Sequence, residues 1–134
     1  MTPSSTTSLS HYRKVSAQGS VIDADPHRVI HLLLNGALDR LAQARGHMQR
    51  GEAAAKSEEI GKALGIVEGL KLNLDTERGG EIATNLNDLY DYIMGVLLKA
   101  NLENNVSLID EVGSLLREVE AAWAEIAPTT TAAS

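Results

Sequence analysis

The 134-residue chain has no cysteine, no phenylalanine, only three prolines and no apolar run approaching the length of a membrane span. Without thiols there is neither a disulfide framework nor a thiolate metal site. Without about 20 consecutive apolar residues, no membrane insertion is expected. The opening "MTPSSTTSLSHYRK" lacks the apolar centre of a secretory leader, so a cytoplasmic protein is expected. The aromatic residues are Tyr12, Tyr90, Tyr92 and Trp123, which leaves Leu, Ile, Val and Ala to build the core. Basic residues run short in the second part: residues 79–134 hold two Lys/Arg against nine Asp/Glu, whereas residues 1–78 hold ten against nine. No basic stripe is available to follow a phosphate backbone, which argues against nucleic acid as a partner.

What is present is helical periodicity between punctuation marks. Pro3, Pro26 and Pro128 bound a proline-free stretch from His27 to Ala127. The Ser/Thr-rich "TPSSTTS" and "PTTTAAS" outside it carry too little apolar surface to fold alone. Asp25 is a good N-cap and Pro26 suits the first helical position. From there Ile30, Leu33, Leu34, Ala37, Leu41, Ala44 and Met48 recur every three or four residues, until Arg50-Gly51. A second helix is expected from about Ala53 to Leu74, on Ile60, Ala63, Leu64, Val67, Leu70 and Leu74. The glycine pair of "DTERGG" supplies the next turn. A third is expected from about Glu81 to Leu102, with an inner stripe of Ile82, Leu86, Leu89, Ile93, Val96, Leu97 and Ala100. After "ENN" a fourth runs to about Ala127 on Ile109, Val112, Leu116, Val119, Trp123 and Ile126. Short loops between helices of similar length make neighbours antiparallel. The fold expected is therefore an all-α, antiparallel up-down four-helix bundle over 25–127. A mobile N-terminal segment (1–24) and a disordered tail (128–134) flank it.

Two features exceed what a bundle needs. The second helix carries Gly61, Gly65 and Gly69, which fall opposite its core stripe together with Leu72. An interior helical glycine costs up to about 1 kcal/mol relative to alanine. Either an exposed face tolerates them, or they leave a shallow groove where another chain lies against the backbone. The third helix adds a second stripe of Tyr90, Met94, Leu98 and Leu102, and the first adds Val29, Leu32 and Leu38. A helix apolar on more than one face wants cover on more than one face. An outward apolar stripe beside a glycine face suits helix-in-groove recognition, and Met94 suits an adaptable contact.

No catalytic constellation emerges: there is no P-loop, no GxGxxG after a strand, no HExxH and no nucleophile elbow. No enzyme activity and no cofactor are expected. His27 and His31, four apart, could share a metal with Asp23 or Asp25, but surface histidines explain them as well. A histidine phosphotransfer domain would show His-Lys-Gly on one helix, which none of the four histidines has.

The order and spacing of several segments resemble the FliS family, the flagellin-specific export chaperones of the flagellar type III secretion system. The segments are "YRKVSAQGSVIDADPHRVIHLLLNGAL", "IGKALGIVEGLKLNLD", "GGEIATNLNDLYDYIMGVLLKAN" and "LLREVEAAW", of which the third is the most specific. Gly65 and Gly69 stand where larger or polar residues are usual in the family, and Asn35 where many members have an acidic residue. The resemblance implies a non-enzymatic helical bundle that binds the disordered C-terminal segment of flagellin, prevents its polymerisation and delivers it to the flagellar export gate. On this chain the groove would comprise Gly61, Gly65, Gly69, Leu72, Tyr90, Met94 and Leu98. Tyr12 and Val15, with Val21 and Ile22, would cover the empty groove, and Tyr12 would help dock at the gate. The free protein is expected to be a monomer or weak homodimer. The rival from another class is a structural bundle that self-associates through the same stripes.

Overall fold

The computed structural model describes the backbone of residues 25–133, with side chains described up to Glu125 except at Thr76. Four helices follow in order: α1 (Pro26–Gln49), α2 (Ala53–Leu72), α3 (Thr76–Glu103) and α4 (Val106–Ala133). Tyr12, Val15, Val21 and Ile22 lie outside the described residues.

The helix starts are set by capping side chains. Asp25 Oδ1 accepts from the Arg28 amide at 3.2 Å, with Pro26 opening α1. Asp75 caps α3 by accepting from the Glu77 and Arg78 amides. Between α3 and α4 the two asparagines divide the work. Asn104 adopts the left-handed conformation (φ 52°) that ends α3. Asn105 Oδ1 then accepts from the Ser107 amide and hydroxyl and starts α4.

Each helix turns its aliphatic stripe inward. The core comprises Leu34, Ala37, Leu41 and Ala44 from α1, and Ile60, Ala63, Val67 and Leu70 from α2. Tyr90, Ile93, Leu97 and Ala100 of α3 and Ile109, Val112 and Leu116 of α4 complete it. The helices pack in a ring: α1 against α2 and α4, and α3 against α2 and α4, with α1–α3 and α2–α4 on the diagonals. Polar pairs fix an antiparallel register at each seam: Arg40–Glu59, Lys71–Asp91, Tyr92–Glu111 and Arg45–Asp110. This is the expected up-down bundle.

Three boundaries differ from the sequence reading. α2 stops at Leu72 rather than Leu74, and α4 runs past Pro128 to Ala133. α3 opens at Thr76, and Gly80 interrupts it with non-helical angles (φ 54°, ψ −128°). Only glycine takes such a conformation without strain, so the break sits where the glycine pair allows it. It also resets the helical phase. Ala83 is buried, whereas Ile82, expected on the inner stripe, is 71% exposed.

At the open end of the ring, α1 and α4 are clamped by a reciprocal contact. Trp123 Nε1 donates to the His27 carbonyl at 2.9 Å, and His27 Nε2 donates to the Trp123 carbonyl at 2.8 Å. The two rings stack at 5.0 Å. His31 lies 4.0 Å from Glu120 one turn further along. Among the described residues no three His, Asp or Glu side chains converge in a way that could hold a metal. His27 is thus engaged in packing α1 onto α4.

Candidate functional site: the seam between α2 and α3

The outer seam between α2 and α3 is bracketed by two polar pairs. Ser57 Oγ donates to Asn101 Oδ1 at 3.0 Å near one end, and Lys71 Nζ meets Asp91 at 2.6 Å near the other. Between them α2 presents Gly61, Leu64 and Gly65, and α3 presents Met94 and Leu98. A Cβ built at Gly61, Gly65 or Gly69 would meet nothing within 4 Å. The glycines therefore make no room for a neighbour within the described bundle; they leave backbone uncovered. Leu98 is 55% exposed, Leu102 85% and Leu72 78%. Met94 is half-buried against the core. The result is a shallow strip of aliphatic side chains and bare helix backbone, with no described element over it.

Tyr90 departs from the expected outward stripe. Midway along α3, it is 2% exposed and packs with the core. It borders a small cavity of about 60 Å³ with Leu70, Leu74 and Trp123. Burial pushes its phenol up to about 12. Leu32 is 40% exposed on α1, while Val29 and Leu38 are half-buried.

Two features were not anticipated from sequence. Lys56 is buried, its ammonium donating to the Asn101 carbonyl at 2.9 Å and to Asn104 Oδ1 at 2.7 Å. It satisfies the C-terminal end of α3, where a cation is favoured by the helix dipole, and thereby sets one end of the seam. The second is an apolar cleft on the other side of α3, lined by Ile82, Leu86, Leu89, Leu115, Val119 and Trp123. The only sequence signal for it was the glycine pair just before Ile82, since a phase reset there turns that side chain outward.

A helical bundle with an uncovered apolar seam does not by itself name a family, but the sequence does. The family model described as "Flagellar protein FliS" matches residues 8–130. This chain belongs to the FliS family. FliS relatives cover most of its length. The flagellar secretion chaperone FliSB of Pseudomonas aeruginosa is 51% identical over 115 residues, 86% of this chain and 91% of that protein. The flagellar secretion chaperones FliS of Salmonella typhimurium and Vibrio cholerae are 46% and 40% identical. They span 87% and 90% of this chain and 87% and 89% of their own lengths. As a FliS protein the chain has no described helix long and apolar enough to cross a membrane.

Proposed function

We propose that this protein is a flagellar secretion chaperone that binds the C-terminal segment of flagellin in the cytoplasm. It would hold that segment from polymerising and deliver it to the export gate. The observation that carries the reading is the uncovered strip along α2 and α3, in a chain of this family. A client segment that buries its apolar face in an assembled filament needs a substitute surface beforehand. Leu72, Leu98 and Leu102 supply apolar area, and Gly61, Gly65 and Gly69 allow an incoming chain to approach the helix backbone. Met94 supplies an adaptable edge. Tyr90 has no part in this contact, being enclosed by the core.

The energetics need no nucleotide. Ordering a disordered tail costs about 2–5 kcal/mol. At about 25 cal/mol per Å², on the order of 200 Å² of apolar burial offsets the upper figure, before the general cost of association. Apolar burial beyond that figure would hold a reversible complex, with release by competition at the export gate. Tyr12 and Val15 serve as the groove cover and the docking element in this reading, and the free protein is a monomer or weak homodimer.

Replacing an exposed leucine with a charge tests the seam. Leu98→Glu and Leu72→Glu should each weaken binding of the flagellin C-terminal segment by about tenfold or more, because a carboxylate would be desolvated in the complex. Far-UV circular dichroism and thermal midpoint should stay unchanged, since neither side chain is in the core. Unchanged affinity in both variants would place the client elsewhere.

A further inference from the structure

The depression between α1 and α4 has a volume of about 220 Å³. Leu38, Leu41 and Ile109 form its apolar side, and Arg45, Asp110 and Arg117 are its charged groups. Arg45 is committed, since its Nε and Nη2 donate to the two oxygens of Asp110 at 2.7 and 3.1 Å. Arg117 is not: among the described residues it makes neither a hydrogen bond nor an ion pair. Glu120, three residues further along α4, lies 4.0 Å from His31 instead. Gly113 shows where the free guanidinium rests. A Cβ there would stand 3.4 Å from Arg117 Nη2, so the side chain folds back one turn along α4, over bare backbone that also lines the depression.

Two guanidinium groups against one carboxylate leave this lining one negative charge short of balance. Asp110 stays ionised beside them: the Arg45 hydrogen bond first, then the Arg45 and Arg117 charges, hold its carboxyl below the usual carboxylate range. One further carboxylate brings the set to neutrality, and a guanidinium takes that group with paired, charge-assisted hydrogen bonds. A phosphate dianion would leave excess negative charge next to Asp110. The apolar side selects again, because a bare inorganic anion leaves Leu38, Leu41 and Ile109 uncovered. The depression therefore suits a carboxylate and an aliphatic group set side by side. In a polypeptide only the C-terminal residue carries both on one carbon, its Cα. An internal Asp or Glu would bring flanking peptide groups over the apolar side, where they would lose their hydrogen bonds to water.

We propose that the α1–α4 depression captures the C-terminal carboxylate of a polypeptide that ends in an aliphatic residue. Arg117 holds the carboxylate, and Leu38, Leu41 and Ile109 take the side chain. The site lies across the ring from the α2–α3 seam and does not rest on the flagellin reading.

The test is titration of the full chain with short probes, followed by the backbone amide resonances of Ile109 and Gly113. The first probe is an N-acetylated tripeptide ending in leucine with a free C-terminal acid. The second is the same tripeptide as its C-terminal amide. The third is an N-acetylated tripeptide amide with leucine followed by an internal aspartate. Sodium acetate and inorganic phosphate complete the set. The free acid should shift both resonances saturably and bind about tenfold or more tighter than each of the others. Arg117→Gln should weaken the free acid about tenfold, leaving the amide peptide and the circular dichroism unchanged. Arg117→Lys should recover part of that loss, because a point charge keeps the attraction but not the paired bonds. The proposal is overturned if the acid and the amide bind alike, or if Arg117→Gln leaves the affinity of the acid unaltered. Binding of the internal-aspartate peptide as tight as that of the acid would also overturn it, since the chain end would then carry no preference. Acetate or phosphate binding as tightly as the acid would reduce the depression to a site for an adventitious ion only.

Discussion

The Lys56 side chain is buried in the bundle, where both of its acceptors belong to the last turn and cap of α3. A lysine among polar residues in "AAAKSEE" has no sequence mark that separates it from a solvated one, because its burial depends on where the end of α3 arrives. Lys56→Met should fit the space but leave the Asn101 carbonyl without that donor, lowering stability by about 1–3 kcal/mol, read as a fall in urea midpoint. Tyr90 was misplaced for a related reason: spacing by four groups it with Met94 and Leu98, yet the slow drift of a 3.6-residue helix carries it inward over two turns. Its burial has a pH consequence. A phenol raised in the folded state contributes stability that is fully present below its unfolded value, about 10. That contribution is lost as pH rises through its folded value of about 12. Urea midpoints should therefore fall between those limits, and Tyr90→Phe should remove part of that fall. An identical alkaline loss in the variant would show that Tyr90 contributes nothing to it.

At the scale of the element, glycines do opposite work in α2 and α3. In α2 they are helical, open to solvent and without neighbours, so changing Gly61, Gly65 and Gly69 together to alanine should stabilise the helix by roughly 1–3 kcal/mol. If they admit the client backbone, the same triple variant binds the flagellin segment more weakly despite melting higher. Gly80 has a positive φ, so Gly80→Ala should cost about 1–3 kcal/mol. Thermal melts of the two variants should move in opposite directions. The helices themselves were readable from their stripes: the core residues of α1 and α2 are those expected, and the caps at Asp25 and in "ENN" act as such. Ile82 was not readable, because periodicity assumes a continuous helical phase and Gly80 breaks it. The glycine face of α2 was legible as an outer face, since its angle from Val67 needed only helical geometry.

For the whole molecule, the ring of antiparallel helices separates two uncovered apolar surfaces by the width of α3. The α2–α3 seam is lined with glycine and leucine, and the α3–α4 cleft with aliphatic side chains, Trp123 and the single carboxylate of Glu118. Neither closes on a described element, so the bundle is folded yet incompletely covered, as expected of a protein whose apolar surface is completed by a client. The pairing of α3 with both α2 and α4 could not be read from any one helix; it follows from loop lengths and the ring they impose. The most direct test of the account is titration of the full chain with the C-terminal segment of its organism's flagellin, followed by calorimetry at several temperatures and by far-UV circular dichroism. The account predicts one-to-one binding, a negative heat-capacity change from apolar burial, and more helix in the complex than in the two components apart. A folded protein that leaves the segment unbound, or binds it without either signature, would contradict it.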